Sequence, residues 1–420
     1  MGRVTQRVSR KIIPLPPLTR GLKDIKHMKI ITDEKKINEV LTRGVEEIIV
    51  RESLEKKLKS GKQLRIKFGI DPTGAKIHIG RAATLWKLRE FQDLGHQIVL
   101  IVGDYTAQIG DPSDKLTKRP FLTPRDIKEN MKNYKKQLGK ILDLDRAEFH
   151  HNGDWLAVLT PRELDDLADL FSVQQMIARR NFKERWEKQE DISIRELHYP
   201  LYQGYDSVIV KADVELGGSD QLFNLMAGRK IQEARGQAPQ DVMTAKMLMG
   251  LDGRKMSTSW GNVINIADEP NDMYGKIMSM HDDLIPDYFL LCARLSVEEV
   301  EEIKKQIAAG VNPRDLKMRL AKEIVALYHG KKSADEAEAE FINIFQQKGK
   351  PEEIPEIKPS AYDILTVLAE SKFAKSKTDA RHLVEQGGVK VNDQKIDSIE
   401  TKVKAGDIVQ KGSRFFIKVK

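Results

Sequence analysis

The stretch that decides the fold is KFGIDPTGAKIHIGR, residues 67–81. An apolar alternation leads into it from Leu64 to Ile70, and a helical pattern leads out of it from Ala82 to Leu94. Between them, Asp-Pro-Thr-Gly is a good turn sequence that ends the strand. A strand that opens onto a helix N-terminus creates an anion site, because unpaired backbone N–H groups and the helix dipole both point there. The stretch therefore favours a nucleotide site, although an ordinary turn would also explain it.

Two further segments repeat this alternation of strand and helix. HQIVLIVGDY, residues 96–105, has the pattern of a buried strand ended by a glycine. KADVELGGSDQLFN, residues 211–224, has an apolar alternation, a Gly-Gly break and then a helical pattern. Strands without a polar face, joined through helices, are typical of a parallel sheet covered on both sides. We therefore predict a doubly wound α/β fold, in which ligands bind where strands end and helices begin.

Helical patterns occupy most of the remaining chain. The apolar spacing predicts helix from residue 33 to about residue 60, and residues 124–196 read as a charged, mainly helical insertion. Residues 268–346 are helical again, and the proline-rich, charged residues 348–360 read as a linker. A small basic unit follows, so the chain is predicted to contain several domains.

Composition narrows the class of protein. The 420 residues are 40% hydrophobic and 32% charged, and no apolar run approaches the roughly 20 residues of a membrane helix. Cys292 is the single cysteine, which excludes an intramolecular disulfide and a cysteine-based metal cluster and fits a reducing cytoplasm. The net charge of +8 is concentrated at the ends, with +7 in residues 1–30 and +4 in residues 360–420. This distribution suits a polyanionic partner. Residues 1–30 are also compatible with a targeting peptide, and equally with a solvated basic tail or a start codon placed too far upstream of Met28.

A second stretch, GLDGRKMSTSWGN at residues 250–262, complements the first. It places Lys255 in a glycine-flanked loop rich in hydroxyl groups. Such a loop is suited to clamping a leaving pyrophosphate while negative charge develops on it. Taken alone, however, it would be read as an ordinary polar turn.

The two stretches together, about 175 residues apart, resemble the paired signatures of class I aminoacyl-tRNA synthetases. VGDYTAQIGDPSDK (102–115), YPLYQGYDS (199–207) and GGSDQ (217–221) are similar to the tyrosyl-tRNA synthetase family in its bacterial form. The resemblance runs from about Asp33 to Lys420. It implies that L-tyrosine and ATP, with Mg²⁺, react to tyrosyl-adenylate and pyrophosphate, and that tyrosine is then transferred to the 3′ end of tRNA(Tyr). It also implies a cytoplasmic homodimer.

The resemblance further implies roles for individual residues. The implied catalytic residues are Thr73, His78, Arg81 and Lys255. The implied ATP-binding residues are Gly80, Lys115, Arg119, Asp220, Met247, Leu248 and Lys255. The implied tyrosine-binding residues are Lys67, Asp71, Asp111, Tyr199, Gln203, Asp206 and Gln221. The residue types agree with these implied roles. The tyrosine ammonium group needs anionic acceptors, and a site with a buried acceptor for the phenol would reject phenylalanine.

Three positions depart from the family pattern. Arg81 stands where the family often has histidine, and it retains a cation. Thr258 replaces the second lysine of the loop, which leaves Lys255 as its one sure cation. Lys67 stands where many members have a tyrosine that contacts the substrate phenol, and it could instead pair with Asp206 or another acid.

The C-terminal segment ILTVLAESKFAKSKTDARHLVEQGGVKVNDQKI, residues 364–396, resembles a small RNA-binding fold. A ribosomal small-subunit protein, pseudouridine synthases and bacterial tyrosyl-tRNA synthetases share that fold. Ser376, Lys377 and Arg381 would lie along one helix and present a cationic face to RNA phosphates. A solvated charged helix is the alternative interpretation.

The predicted organisation follows from these segments. It comprises a basic extension (1–32), a Rossmann-like catalytic domain (33–266) with a helical insertion (about 124–196) and a mobile loop (250–262), a helical anticodon-side domain (267–347), a linker (348–360) and a small α+β RNA-binding domain (361–420). No metal bound by protein ligands is expected.

Other functions remain open at this point. One is another nucleotidyl-transferring ligase of the cytidylyl or pantoate type, which would need neither residues 268–346 nor the basic C-terminal unit. A tryptophanyl-tRNA synthetase would have less use for Tyr199, Gln203 and Asp206. A catalytically inactive RNA-binding paralogue would not need to retain the candidate site residues, which are His78, Asp111, Asp206, Asp220 and Lys255.

Overall fold

The computed structural model describes residues 29–113, 122–256, 260–346, 354–412 and 415–420. The chain divides into two compact units. The first unit runs to Asp268 and includes Met280–Pro313, and the second comprises Glu269–Ser279 and Arg314–Lys420. Across the described ranges, no helix is both long enough and apolar enough to cross a membrane.

The helices and strands below are numbered along the chain through both units. The helices are α1 Glu34–Thr42, α2 Arg51–Lys59, α3 Ile79–Asp93, α4 Thr106–Ile109, α5 Pro124–Met131, α6 Tyr134–Leu138, α7 Gly153–Leu156, α8 Pro161–Ala168, α9 Val173–Ile177, α10 Arg180–Glu187, α11 Ile194–Leu197, α12 Tyr199–Ile209, α13 Leu222–Ala234, α14 Pro270–Met278, α15 Ile285–Leu291, α16 Val297–Ala308, α17 Pro313–His329, α18 Lys331–Gln346, α19 Ile364–Glu370 and α20 Lys377–Glu385. The strands are β1 Val45–Ile49, β2 Arg65–Ile70, β3 Gln97–Val102, β4 Ala147–His151, β5 Val214–Gly218, β6 Asp241–Ala245, β7 Glu356–Ile357, β8 Val389–Val391, β9 Gln394–Lys395, β10 Ile408–Lys411 and β11 Phe415–Val419.

A six-stranded sheet forms the centre of the first unit. Its strand order is β1-β6-β5-β2-β3-β4, and every neighbouring pair is parallel except β1 with β6. The chain builds outward from β2 through β3 to β4, and then returns to the other side of β2 with β5. This reversal creates a crevice at the carboxyl ends of β2 and β5, where open α/β sheets bind their ligands. The predicted α/β class is confirmed.

The burial of the central strands agrees with a parallel sheet. All six residues of β3 are buried, so the strand is covered on both faces, as expected for a parallel sheet. Val99 and Ile101 of β3 belong to the same apolar core as Tyr205 and Val208 of α12. That core fixes α12 beside the carboxyl ends of the central strands, and α12 carries several candidate site residues.

The structure differs from the sequence interpretation in two segments. The predicted continuous helix over residues 33–60 is wrong, because β1 lies between α1 and α2 and pairs with β6. Gly44 and Val50, on either side of β1, both take left-handed backbone conformations that a helix does not allow. The segment 124–196 also contains β4, an edge strand whose sequence AEFHH lacks an apolar run.

The second unit contains two groups of elements. In the helical part, the ring of Tyr274 on α14 packs 5.4 Å from that of Phe341 on α18. The C-terminal part is a five-stranded sheet of order β7-β11-β10-β8-β9, with α19 and α20 on its apolar core. Strand β7 lies within the segment that the sequence indicated as a linker and pairs in parallel with β11.

Candidate active site

A cavity of about 270 Å³ opens at the carboxyl ends of β2, β5 and β6. It brings together nearly all the candidate residues of the catalytic unit. The predicted residues that line it are Asp71, Thr73, His78, Gly80, Arg81, Asp111, Tyr199, Gln203, Asp206, Asp220, Gln221, Met247, Leu248 and Lys255. Lys115 and Arg119 lie outside the described residues.

His78 marks one end of the cavity, where it caps helix α3. Its Nδ1 accepts a hydrogen bond from the backbone N–H of Arg81 at 3.3 Å. Burial, with a smaller contribution from the charge of Arg81, lowers the pKa of His78 to about 4. The ring is therefore neutral near pH 7, and because Nδ1 is an acceptor, the proton resides on Nε2. His78 thus presents a neutral N–H donor beside a helix N-terminus.

The loop around Lys255 covers the same end of the cavity. Lys255 pairs with Asp220 at 3.4 Å, and its side chain is 41% exposed. Its carbonyl oxygen accepts from Asn262 at 3.1 Å, which ties together the two sides of the loop. Gly80 gives the loop room, since a Cβ there would come within 2.8 Å of the sulfur of Met256. A cation and a helix N-terminus therefore face each other across this end.

Asp206, on α12, belongs to a second group of residues that line the cavity, which we call its Asp206 end. Its carboxylate accepts from the indole N–H of Trp155 at 2.8 Å and from the amide of Asn152 at 3.3 Å. The residue is only 3% exposed. Burial raises the pKa of Asp206 to about 7, although the charge of Lys67 opposes the shift. A buried carboxylate with oriented donors is suited to accept one more hydrogen bond from a substrate hydroxyl.

Lys67, the remaining described candidate of the tyrosine-binding set, lies outside the cavity lining. Its ammonium group is fully buried, pairs with Glu215 at 2.9 Å and donates to the hydroxyl of Ser207 at 2.7 Å. It also donates to the backbone oxygen of Gln203 at 2.7 Å. The side-chain amide of Gln203 in turn donates to Glu215 at 3.2 Å. The acid that pairs with Lys67 is therefore Glu215, and both members of the pair form hydrogen bonds with Gln203.

Asp71 directly follows β2 and lines the cavity. Its carboxylate accepts from the hydroxyl of Tyr199 at 2.9 Å and from the hydroxyl of Thr106 at 2.8 Å. Gly103 is required here, because a Cβ at that position would collide with the Asp71 carboxylate. Asn152 donates to Thr106 at 3.1 Å as well as to Asp206, so the carboxylates of Asp71 and Asp206 share one hydrogen-bonded network.

Asp111 lies in a second network on the same side of the cavity. One carboxylate oxygen accepts from Gln221 at 2.5 Å, and the other accepts from the backbone N–H of Ser113 at 2.9 Å. The hydroxyl of Ser113 accepts from Arg179 at 2.8 Å. The guanidinium of Arg179 lies 4.7 Å from the centre of the Phe223 ring, which orients it.

Sequence reasoning missed Thr106, Asn152, Trp155 and Arg179. Asn152 follows β4 directly, and a polar residue after a strand would have been the signal if β4 had been recognised. Trp155 lies in α7 and Arg179 immediately precedes α10, both in the insertion, where the sequence shows no motif. Their positions depend on packing between elements that are distant in the chain.

The candidate RNA-binding residues lie in the second unit. Ser376 caps α20, where its hydroxyl accepts from the backbone N–H of Asp379 at 3.2 Å. Lys377 and Arg381 are exposed along α20. A helix N-terminus and two exposed cations therefore occur on one short helix.

Comparisons with known proteins agree with this architecture. The family model described as tRNA synthetases class I (W and Y) matches residues 59–346, and the S4 domain model matches residues 364–409.

Individual relatives match most of the chain. A tyrosine–tRNA ligase of Dehalococcoides mccartyi is 45% identical over 390 residues, which cover 92% of this chain and 98% of the relative. One from Haemophilus influenzae is 41% identical over 393 residues, which cover 93% and 98%. A C-terminally truncated mitochondrial tyrosyl-tRNA synthetase of Aspergillus nidulans shares the fold, with a TM-score of 0.61 at 23% identity over 74% of this chain and 94% of that one. The cavity and these relatives together place the chain in the tyrosine–tRNA ligase family of class I tRNA synthetases.

Proposed function

We propose that the cavity of this tyrosine–tRNA ligase binds L-tyrosine at the end that contains Asp206 and the ATP phosphates at the end that contains His78. The observation that carries this assignment is the contrast between the two ends. Buried carboxylates gather at one end, where an ammonium and a phenol need acceptors. A neutral N–H donor, a helix N-terminus and a lysine gather at the other, where phosphate charge needs donors.

Tyrosine would lie along the network of acids. Asp206 accepts the phenol hydroxyl, and Asp111, Tyr199 and Gln203 surround the α-ammonium group. Asp71 and Gln221 complete this shell through their hydrogen bonds to Tyr199 and Asp111. Lys67 acts indirectly, because it pairs with Glu215, which accepts a hydrogen bond from the side chain of Gln203. This assignment makes Lys67 a support of the site rather than a contact of the phenol.

ATP would bind with its phosphates against the N-terminus of α3. His78 donates from Nε2, and Thr73 and Arg81 add donors beside it. Gly80, Met247 and Leu248 lie against the adenosine, and Asp220 accepts from the ribose hydroxyls. Lys255 then leaves Asp220 to follow the pyrophosphate, a short move for a half-exposed side chain.

The reaction needs no covalent enzyme intermediate. A carboxylate oxygen of tyrosine attacks the α-phosphorus in line, the bond from that phosphorus to the bridging oxygen breaks, and pyrophosphate leaves. Catalysis is then positioning together with stabilisation of the developing charge. Mg²⁺ would enter as part of the MgATP substrate. Among the described residues, no group of three or more His, Cys, Asp or Glu side chains could hold a metal ion.

The remaining assignments concern partners. Ser376, Lys377 and Arg381 would contact the phosphates of tRNA(Tyr), with Lys115 and Arg119 assisting at the ATP site. We further propose a homodimer in the cytoplasm and the predicted domain boundaries, including the linker at 348–360.

ATP–pyrophosphate exchange tests the proposal. Exchange should depend on tyrosine and should be far slower with phenylalanine, tryptophan or pantoate. Equal or faster exchange with tryptophan or pantoate would contradict the substrate assignment. The absence of exchange with every substrate would indicate an inactive paralogue. Filter binding of tRNA(Tyr) at rising salt would test the RNA-binding face, because phosphate contacts weaken as salt increases.

A further inference from the structure

The loop between β2 and α3, residues 71–78, is held by a side chain from outside both elements. The amide nitrogen of Gln137, on α6, donates to the backbone oxygen of Ala75 at 2.9 Å. The amide oxygen of Gln137 accepts from the backbone N–H of Ile77 at 2.8 Å. Gln137 is only 4% exposed; its hydrogen bond with Ile77 is buried, and its hydrogen bond with the exposed residue Ala75 is partly buried. One side chain thereby closes the loop across three residues.

Two more residues of the same segment make similar contacts. The amide of Asn130 donates to the backbone oxygen of Pro72 at 2.8 Å. The hydroxyl of Tyr134, which is fully buried, accepts from the guanidinium of Arg81 at 2.6 Å. Asn130, near the end of α5, and Tyr134 and Gln137, on α6, all contact the loop or the first turn of α3, and we call these three residues the α5–α6 face.

The opposite side of the loop is fixed by the backbone. The N–H of Ile79 donates to the oxygen of Ile264 at 2.8 Å, and the N–H of Ile266 donates to the oxygen of Ile77 at 3.0 Å. The α5–α6 face therefore supplies the second wall of a clamp. Without it, the buried backbone N–H of Ile77 would lose its partner, which is costly, and the backbone oxygen of Ala75 would lose a partly buried hydrogen bond.

We infer that Gln137, assisted by Asn130 and Tyr134, is a positioning residue for adenylate formation. It fixes the backbone on which Thr73 and His78 stand, and so sets their distance from the ATP phosphates. Gln137 is not among the described residues that line the cavity, so it acts through the loop. A misplacement of about 1 Å can cost roughly 100-fold in rate, so a support of this kind has catalytic consequences. The inference rests on the proposed roles of Thr73 and His78.

The chain offers a matched control for the obvious variant. Gln92 is also fully buried, and its amide clasps the backbone of Asp143 through two hydrogen bonds of 2.9 Å. Gln137→Met and Gln92→Met therefore remove the same chemistry at similar volume, one beside the proposed phosphate site and one away from it. A merely structural role would make the two variants behave alike.

The experiment measures tyrosine affinity by equilibrium dialysis and the single-turnover rate of adenylate formation at saturating ATP and tyrosine. For Gln137→Met we expect at least a tenfold fall in the rate and a tyrosine Kd within twofold of the parent. Gln92→Met should lower the melting temperature but leave both quantities within twofold. A Gln137→Met rate within twofold of the parent, or an equal fall in Gln92→Met, overturns the inference.

Two milder variants keep the inference testable if Gln137→Met does not fold. Asn130→Ala and Tyr134→Phe each remove one contact of the clamp, and each should lower the rate about threefold or more without changing the tyrosine Kd. Parental rates in both would overturn the inference. His78→Ala separates the two proposals. If His78→Ala lowers the rate of adenylate formation and the clamp variants do not, only the clamp inference fails. If His78→Ala retains the parental rate, the assigned role of His78 and the clamp inference both fail.

Discussion

The two ends of the cavity are built in different ways. At the tyrosine end, Asp206 is 3% and Asp111 is 9% exposed, and each is fixed by two donors. At the phosphate end, Lys255 is 41% exposed and touches Asp220 at only 3.4 Å. Under the proposed assignment, recognition of the amino acid depends on buried groups with fixed partners, whereas stabilisation of the leaving group depends on a cation with room to move.

The difference has a physical origin. A buried carboxylate is costly unless its lone pairs are satisfied, so a site that selects a hydroxyl must already contain a complete network. A cation that stabilises a leaving pyrophosphate is needed only when charge develops, so it can be carried by a loop. Variants at the two ends should therefore affect different steps of the reaction.

Replacing Asp206 should have the largest effect. Asp206→Ala removes the proposed acceptor of the phenol, and the preference for tyrosine over phenylalanine should fall by about 10²-fold or more. Sites that hydrogen-bond a substrate hydroxyl discriminate in this way, and tyrosyl-tRNA synthetase is itself the standard example. Exchange kinetics with both amino acids measure the effect. Asp241→Ala, which removes a buried acid paired with Lys57 at the other end of the sheet, should leave the preference intact.

Replacing His78 should affect the chemical step. His78→Ala removes the donor that we propose is aimed at developing charge, and such a donor is typically worth about 3 kcal/mol, or roughly 10²-fold in rate. The affinity for tyrosine should stay within twofold. His96→Ala is the control, because His96 is also buried and burial lowers its pKa to about 4 as well. A parental rate in His78→Ala, or an equal loss in His96→Ala, would show that His78 has no special role.

Removing the loop cation should have a smaller effect. Lys255→Ala should slow adenylate formation about tenfold, because other donors at the N-terminus of α3 remain. Tyrosine affinity should not change. Arg254→Ala removes the neighbouring cation, which pairs with Asp252 instead, and should have little influence. A loss of tyrosine affinity in Lys255→Ala would contradict the separation of the two ends.

The pH dependence should also distinguish the ends, with an effect of about tenfold or less. Burial raises the pKa of Asp206 to about 7, so the free carboxyl is largely protonated below that pH and becomes a stronger acceptor for the proposed phenol contact when it loses its proton. kcat/KM for tyrosine should therefore rise between pH 6 and pH 8, with a midpoint near 7. His78, whose pKa is lowered to about 4, does not titrate in this range. A flat profile would show that Asp206 is ionised throughout.

The sequence predicted central strands of the sheet, which are buried on both faces, better than the edge strands. Strands β2, β3 and β5 are central and parallel, and an apolar run in β3 and apolar alternation in β2 and β5 mark them in the sequence; α3 follows a clear turn signal. Strands β1 and β4 lie at the edges of the sheet and have mixed composition, and tertiary pairing rather than local pattern determines them.

The site shows the same division. The motif residues His78, Asp220 and Lys255 follow strands or occupy glycine-rich loops, so the sequence marks them. Asn152 and Trp155 hold Asp206 only because β4 lies next to β3, which places residues about 50 positions apart in contact. No local pattern contains that information.

Tyrosine binding in the absence of ATP tests the central claim most directly. Equilibrium dialysis would compare the parent chain, the double variant His78→Ala with Lys255→Ala, and Asp206→Ala. If the tyrosine end is complete without the phosphate end, the double variant should bind tyrosine within twofold of the parent and Asp206→Ala should lose most of its affinity. Loss of tyrosine binding in the double variant, with binding retained in Asp206→Ala, would contradict the account.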